Sequence, residues 1–263
     1  MLFYAAKASL FKDDSQLAIT SLQQAIKLDA QSWRYPKLLA EHYIIQKQND
    51  KALATIEPFY KRHTENYVVG MLYGKTLLLN KKYAEADTFL TKLKILPFEG
   101  ATSGRQLYHE AKLMQALAQM KNKQYKKALQ FISEAKLWPE NLGVGKPYQE
   151  DIDERLENWL DYQCYTSLDD TETANKSLQK IVAFNPKIDN TVMNFLPANQ
   201  LVSAWAIEKT ASSKQAEEWL KHQAELYPAN KIVQWSLEMY TKKQSNILSE
   251  DEKDGEVRII EKL

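Results

Sequence analysis

The chain has 263 residues, 44% of them hydrophobic, with a formal net charge of +1 at neutral pH. That length and apolar fraction suffice for a buried core. Near-zero charge gives no general electrostatic case for nucleic acid or for an anionic membrane surface. Seven glycines in the whole chain are few for a loop-rich enzyme, and the mean hydropathy is −0.52. The one cysteine, Cys164, has no partner for an internal disulfide or a thiolate metal site, and reads as a small buried hydrophobe. No stretch approaches the roughly 18 apolar residues needed to span a bilayer.

The N-terminal run Met1-Leu2-Phe3-Tyr4-Ala5-Ala6-Lys7 lacks the charged region and unbroken apolar core of a signal peptide. It starts as though inside a helix, which suggests a C-terminal piece of something longer. If Met1 is the true start, the expected location is cytoplasmic; the sequence names no compartment otherwise.

Along the chain, a small residue returns with a large apolar one four positions on. The pairs are Ala18/Leu22, Ala52/Ile56, Ala86/Leu90, Ala128/Ile132, Ala174/Leu178 and Ala216/Leu220. Spacings between the alanines are 34, 34, 42, 46 and 42. Residues four apart share one helix face, so each pair marks a helix that lets a neighbour approach at the alanine and fills the gap with the larger residue. Pro97, Pro139, Pro186 and Pro228 follow their alanines by 11, 11, 12 and 12 residues. A proline lacks the N–H and restricts the residue before it, so these are expected to stop helices. Pro58 falls inside a helix and should bend it.

This predicts helical pairs at roughly 2–29, 33–63, 67–96, 105–138, 153–184 and 199–227, then one helix at about 230–243. In the third pair, Gly74 and Ala86 permit close helix approach, and Leu90 and Leu93 fill the space towards the next pair. Insertions fall at 97–105, 139–152 and 187–199. The expected domains are a repeat array over 1–244 and a polar, acidic tail over 245–263. Ser249 to Glu256 is read as a solvated run; Val257, Ile259, Ile260 and Leu263 after it are too apolar for a disordered end and should dock.

With this period and these pairs, the chain resembles the tetratricopeptide repeat superfamily, whose unit is a 34-residue helix–turn–helix. The resemblance implies an all-α fold: a right-handed superhelical solenoid of about six helical hairpins plus a C-terminal capping helix. The segment Trp138-Pro139-Glu140-Asn141-Leu142-Gly143-Val144-Gly145-Lys146-Pro147 is similar to one bacterial family. That family joins an N-terminal carbohydrate-related domain of unknown function to C-terminal repeats.

Little in the sequence carries chemistry. Gly143-Val144-Gly145-Lys146-Pro147 is not a phosphate loop, because Glu140 stands where the first glycine belongs and Pro147 where Ser or Thr must follow the lysine. His42, His63, His109 and His222 have no metal-ligand spacing and read as ordinary helix residues. Asp151, Asp153, Glu154 and Glu157 crowd a helix start, where acidic groups meet the helix dipole favourably. No catalytic motif, metal site or cofactor is expected, and the six tryptophans are mostly packing residues. What remains is a groove lined by the first helices of the hairpins. Counting back from the alanines places Arg34, Lys37, Glu41, Met71, Lys75, Glu110, Leu113, Leu117, Leu201 and Trp205 there. Some superfamily members grip a C-terminal carboxylate with a Lys/Asn set; here the asparagines are missing and Glu41 and Glu110 oppose the lysines.

A second candidate surface is the inserted loop with Asn141, Gly143, Gly145 and Lys146, since loops on rigid scaffolds often carry function. The expected function is non-catalytic: a protein–protein interaction or scaffold module. The alternative is an accessory region of a larger carbohydrate-active protein, packing on its own N-terminal domain or mediating dimerisation. The partner is a protein or peptide in the first case, with a homodimer as a further option. Neither nucleic acid nor a membrane is expected.

Overall fold

The computed structural model describes residues 15–97, 102–184, 188–189, 192–193, 196–249 and 252–263. The first helix expected near 2–14 lies outside the described residues. Among the described residues the regular structure is helical apart from a two-residue antiparallel ladder, Ile188–Asp189 against Val192–Met193. It divides into two compact units: residues 1–107 with 141–143, and residues 108–140 with 144–263.

The first unit holds α1 (Ser15–Leu28), α2 (Arg34–Ile45), α3 (Asn49–Arg62), α4 (Tyr67–Leu79) and α5 (Tyr83–Leu90). Each helix packs on the next, and α2 also touches α4. The core is Leu22, Leu39, Tyr43, Ala52, Ile56, Phe59, Val69 and Leu72. The boundary between the units falls within α6 (Ser103–Lys121). The second unit continues with α7 (Tyr125–Ala135), α8 (Arg155–Ser167), α9 (Thr171–Ala183), α10 (Asn199–Thr210), α11 (Ser213–Leu226), α12 (Lys231–Lys242) and α13 (Gly255–Ile260). From α7 to α12 each helix packs on the next, and α8 meets α10 as α10 meets α12. This is the packing of tetratricopeptide-like hairpins, in which first helices line up beside one another.

All six small residues are at most 3% exposed, and their large partners at most 4%. The alanine-centred pairs are therefore the interior of the array. Glycine contributes too. A Cβ on Gly70 would lie 2.7 Å from Leu93 Cδ1 and 3.0 Å from a Tyr60 ring carbon, a tighter fit than Gly74, where the nearest atom is Leu90 Cδ2 at 3.2 Å.

A second period runs with the first. Lys47, Lys81, Lys123 and Asp169 each stand five residues before an alanine of the series, and each has φ between 57° and 60°. At each one the next amide closes a wide turn: Gln48 N–H donates to Tyr43 O at 2.8 Å, Lys82 to Leu77 O at 2.9 Å, Gln124 to Gln119 O at 2.9 Å and Asp170 to Tyr165 O at 3.0 Å. This is the left-handed helix ending that usually employs glycine.

One boundary differs from expectation. The second helix of the third pair ends at Leu90, not at Pro97. Asn141 supplies the reason: its Nδ2 donates to Leu93 O at 2.7 Å and Leu90 O at 3.0 Å, and its carbonyl accepts Ile95 N–H at 2.8 Å. Those carbonyls would otherwise need another helical turn. Helix α3 holds Pro58 in its interior, as expected, and runs from Asn49 to Arg62.

Candidate partner-binding surfaces

In the first unit, the expected groove residues sit on α2 and α4. Lys37 and Met71 are 34 residues apart, as are Glu41 and Lys75, so they hold equivalent places on neighbouring first helices. Arg34 and Lys75 are exposed; Lys37, Glu41 and Met71 are half-buried. The Arg34 guanidinium lies 4.9 Å from the Trp33 ring centre. Lys37 Nζ pairs with Glu41 Oε1 at 2.6 Å across one helical turn, so Lys75 is the more available cation. Two residues after Met71, Tyr73 forms an aromatic trio with Tyr60 and Phe89, at ring distances of 4.9 to 5.5 Å. Burial, reinforced by nearby Glu57, pushes the Tyr73 hydroxyl up to about 12.

The four loop residues divide by role. Asn141 holds the end of α5, as described. Gly143 has φ +68°, and a Cβ there would meet Ile95 O at 3.0 Å, so both residues shape the backbone. Gly145 and Lys146 are exposed and border a cleft of about 370 Å³ with Lys136, Leu137, Trp138, Glu140 and Val144. Lys136 is tied to Asp161 at 2.9 Å.

In the second unit, the expected groove residues fall in different surroundings. Leu117 and Trp205 are half-buried, and Trp205 lies 5.4 Å from the Trp159 ring. Leu201 is 1% exposed and Leu113 0%. Glu110 is 3% exposed and is held by the C-terminal segment. Arg258 donates to it from two nitrogens, Nη2 to Oε2 at 2.6 Å and Nε to Oε1 at 2.8 Å. A fork of this kind combines charge with fixed geometry. Gly255 sits against the same carboxylate, where a Cβ would be 3.1 Å from Oε2. Leu113 and Glu110 thus do not line an open groove; Glu110 seats the chain's own last helix.

That seat corrects three readings. Val257, Ile259 and Ile260 dock as expected and are at most 2% exposed, whereas Leu263 is 41% exposed, and Glu256 is not solvated: it is 3% exposed. His109 is not an ordinary helix residue. Its Nε2 lies 2.9 Å from Glu157 Oε1 and its Nδ1 3.5 Å from Glu256 Oε1. Glu157 does more than meet a helix dipole, since it is 1% exposed and turned onto that imidazole. Burial pushes the Glu256 carboxyl up to about 7, against the pull of His109. Asp254, which accepts Val257 N–H at 2.8 Å, is also raised by burial.

A second buried network lies nearby in sequence. Arg155 donates to both Asp153 oxygens at 2.9 and 2.7 Å, to Gln200 Oε1 at 2.8 Å and to Ser203 Oγ at 2.9 Å. Asp153 also accepts Leu196 N–H at 2.9 Å. Burial raises its carboxyl, yet Arg155 and these hydrogen bonds outweigh that and hold it below the usual range. Each polar atom of this set has a protein partner, which marks a structural clip.

Among the described residues no group of His, Cys, Asp and Glu could hold a metal ion, and no helix is long and apolar enough to cross a membrane. The one signal for the seat was the apolar Val257, Ile259 and Ile260. Nothing local pointed to Glu110, which is 148 residues from Arg258.

No protein-family model matches the chain, and no curated protein sequence matches it. Solved structures with similar backbones include PilW, a widely conserved type IV pilus biogenesis factor, with 16% identity, TM-score 0.46, and coverage of 89% of this chain and 95% of that one. Pseudomonas aeruginosa PilF has 12% identity, TM-score 0.45, and coverage of 92% and 96%. The P58(IPK) TPR domain has 14% identity, TM-score 0.37, and coverage of 92% and 64%. With no family model matching, the narrower likeness at residues 138–147 is unsupported. The all-α hairpin fold rests on the chain's own helices.

Proposed function

We propose that this chain is a non-catalytic interaction module that holds a protein segment against its first-helix surface. The observation that supports this reading is the pair of equivalent places on α2 and α4. There Lys37, Glu41, Met71 and Lys75 combine charge with a flexible apolar side chain, and Arg34 extends the face with an exposed cation. A rigid helical frame presenting such a surface binds a segment with little ordering cost of its own. Mixed charge suits a folded protein surface or an amphipathic helix better than a bare C-terminal carboxylate, because Glu41 neutralises Lys37.

The experiment is partner capture with the natural chain against Lys37→Glu/Lys75→Glu. A Lys61→Glu/Lys92→Glu control places the same charge change on other exposed residues. Loss of partners with the first variant alone supports the reading. An identical set of partners for all three proteins overturns it and moves attention to Gly145, Lys146 and their cleft.

A further inference from the structure

Helix α13 has six residues, too few to persist without tertiary contacts. It is held by its apolar side chains, by the Glu110–Arg258 fork, and by the approach of Glu256 to His109. The last contact has a charge problem. One imidazole lies between two carboxylates, and all three side chains are at most 5% exposed. With a neutral ring and both acids ionised, two negative charges would be buried together. A proton on Glu256 removes one of them. Burying unpaired charge is costly enough that such groups take up protons instead. Among the charged groups that act on Glu256, Asp254 adds negative charge and Arg258 is matched by Glu110. When α13 leaves, Glu256 returns to water, where a carboxyl ionises near its ordinary value, and its proton is released.

We propose that α13 is a releasable occupant of its own chain's helix-binding seat, latched by a proton on the Glu256 carboxyl where it lies buried against His109. On release, the seat accepts a short helix from another protein that carries an arginine for Glu110 and apolar residues where Val257, Ile259 and Ile260 now lie. Charge complementarity argues for that occupant: the vacated Glu110 carboxylate is shaped for a guanidinium fork. Close packing of Gly255 on Glu110 calls for a small residue three positions before the arginine. The exchange rests on the interaction reading above; the latch rests on the geometry alone.

The sign is fixed by the raised Glu256. Its carboxyl stands at about 7 when docked and 4.5 ordinarily. Docking is therefore unaffected where both forms are protonated, weakens as pH rises from the ordinary value, and is weakest above the docked one. Amide hydrogen exchange on the full chain, expressed as protection relative to an unstructured peptide, reads this directly. Protection over 256–263 should fall about tenfold or more between pH 5.5 and pH 8, while α11 amides hold steady as the internal reference. Glu256→Gln should remove that fall; Arg258→Ala should lower protection at both pH values and keep it. A pH-independent tail in the natural chain, or an undiminished fall in Glu256→Gln with α11 intact, overturns the latch.

For the exchange, the probe is a fluorescent peptide of residues 252–263 with Glu256→Gln, which carries no latch of its own. Its anisotropy on the full chain should rise from pH 5.5 to pH 8 and be higher still on Arg258→Ala. No binding to Arg258→Ala at either pH overturns the exchange. Neither result depends on Lys37 or Lys75, so the failure of this site and that of the first-helix surface are distinguishable.

Discussion

Both compact units carry exposed ion pairs along single helices, such as Lys37–Glu41 in the first and Glu217–Lys221 in the second, and the second adds pairs that are enclosed. In the first, Lys37–Glu41, Glu57–Lys61 and Lys82–Glu85 are local and wet: each spans one helical turn, with side chains 30% or more exposed. Pairs of that kind contribute a few tenths of a kcal/mol at most. The second unit draws charge inward. Asp153–Arg155 and His109–Glu157 have side chains at most 3% exposed, and Glu110 is equally enclosed beneath Arg258. Where the alanine spacing stretches to 46, between Ala128 and Ala174, the Asp153–Arg155 pair ties the longer connection to Leu196, Gln200 and Ser203.

Breaking a clip should give the largest effect. Arg155→Ala leaves Asp153 buried without its partner and is expected to cost about 3–5 kcal/mol in urea unfolding. The matching change in the first unit, Lys61→Ala, should cost less than about 0.5 kcal/mol. Equal costs would erase the contrast. Next come features that both units share. Ala86→Leu and Ala216→Leu each force a large side chain into a closed helix contact, expected to cost about 1–3 kcal/mol. Thermal melts unchanged by both would contradict the repeat register.

Acidity separates the units again. His42 is held below its ordinary value by burial, with Ser15 Oγ 2.7 Å from its Nε2. The folded first unit therefore resists protonating it, and loses stability as pH falls below the ordinary histidine value of 6.5. The C-terminal seat loses its occupant in the other direction, as pH rises. Histidine NMR titration of the chain should show His42 protonating at lower pH than a free histidine. The smallest effects belong to the left-handed turn residues. Lys47→Gly, Lys81→Gly and Asp169→Gly should each stabilise by about 0.5 kcal/mol, since glycine adopts that backbone without the Cβ penalty. Equal gains in both units would mark the turn as a common part of the repeat.

The extent to which this was legible in the sequence follows the range of each interaction. Ala52/Ile56 and its counterparts lie four residues apart, so their periodicity reports helix faces directly, and every pair is interior. The early end of α5 was not legible, because the capping amide of Asn141 comes from about fifty residues away and a nearby proline gave a simpler, incorrect stop. Ser249 to Glu256 is polar by composition, and composition cannot show that Glu256 is buried beside His109. The first-helix count placed Glu110 on the groove side without revealing that Arg258 fills the place. Long-range polar pairing leaves no period to read.

The central claim is that Glu110 and Arg258 join the last helix to α6. A double-mutant cycle with Glu110→Gln and Arg258→Met, read as hydrogen-exchange protection of Val257 to Ile260, tests it most directly. Coupling of about 1 kcal/mol or more between the two substitutions is the expected result. Strictly additive effects, or tail protection untouched by either change, would contradict a docked C-terminal helix.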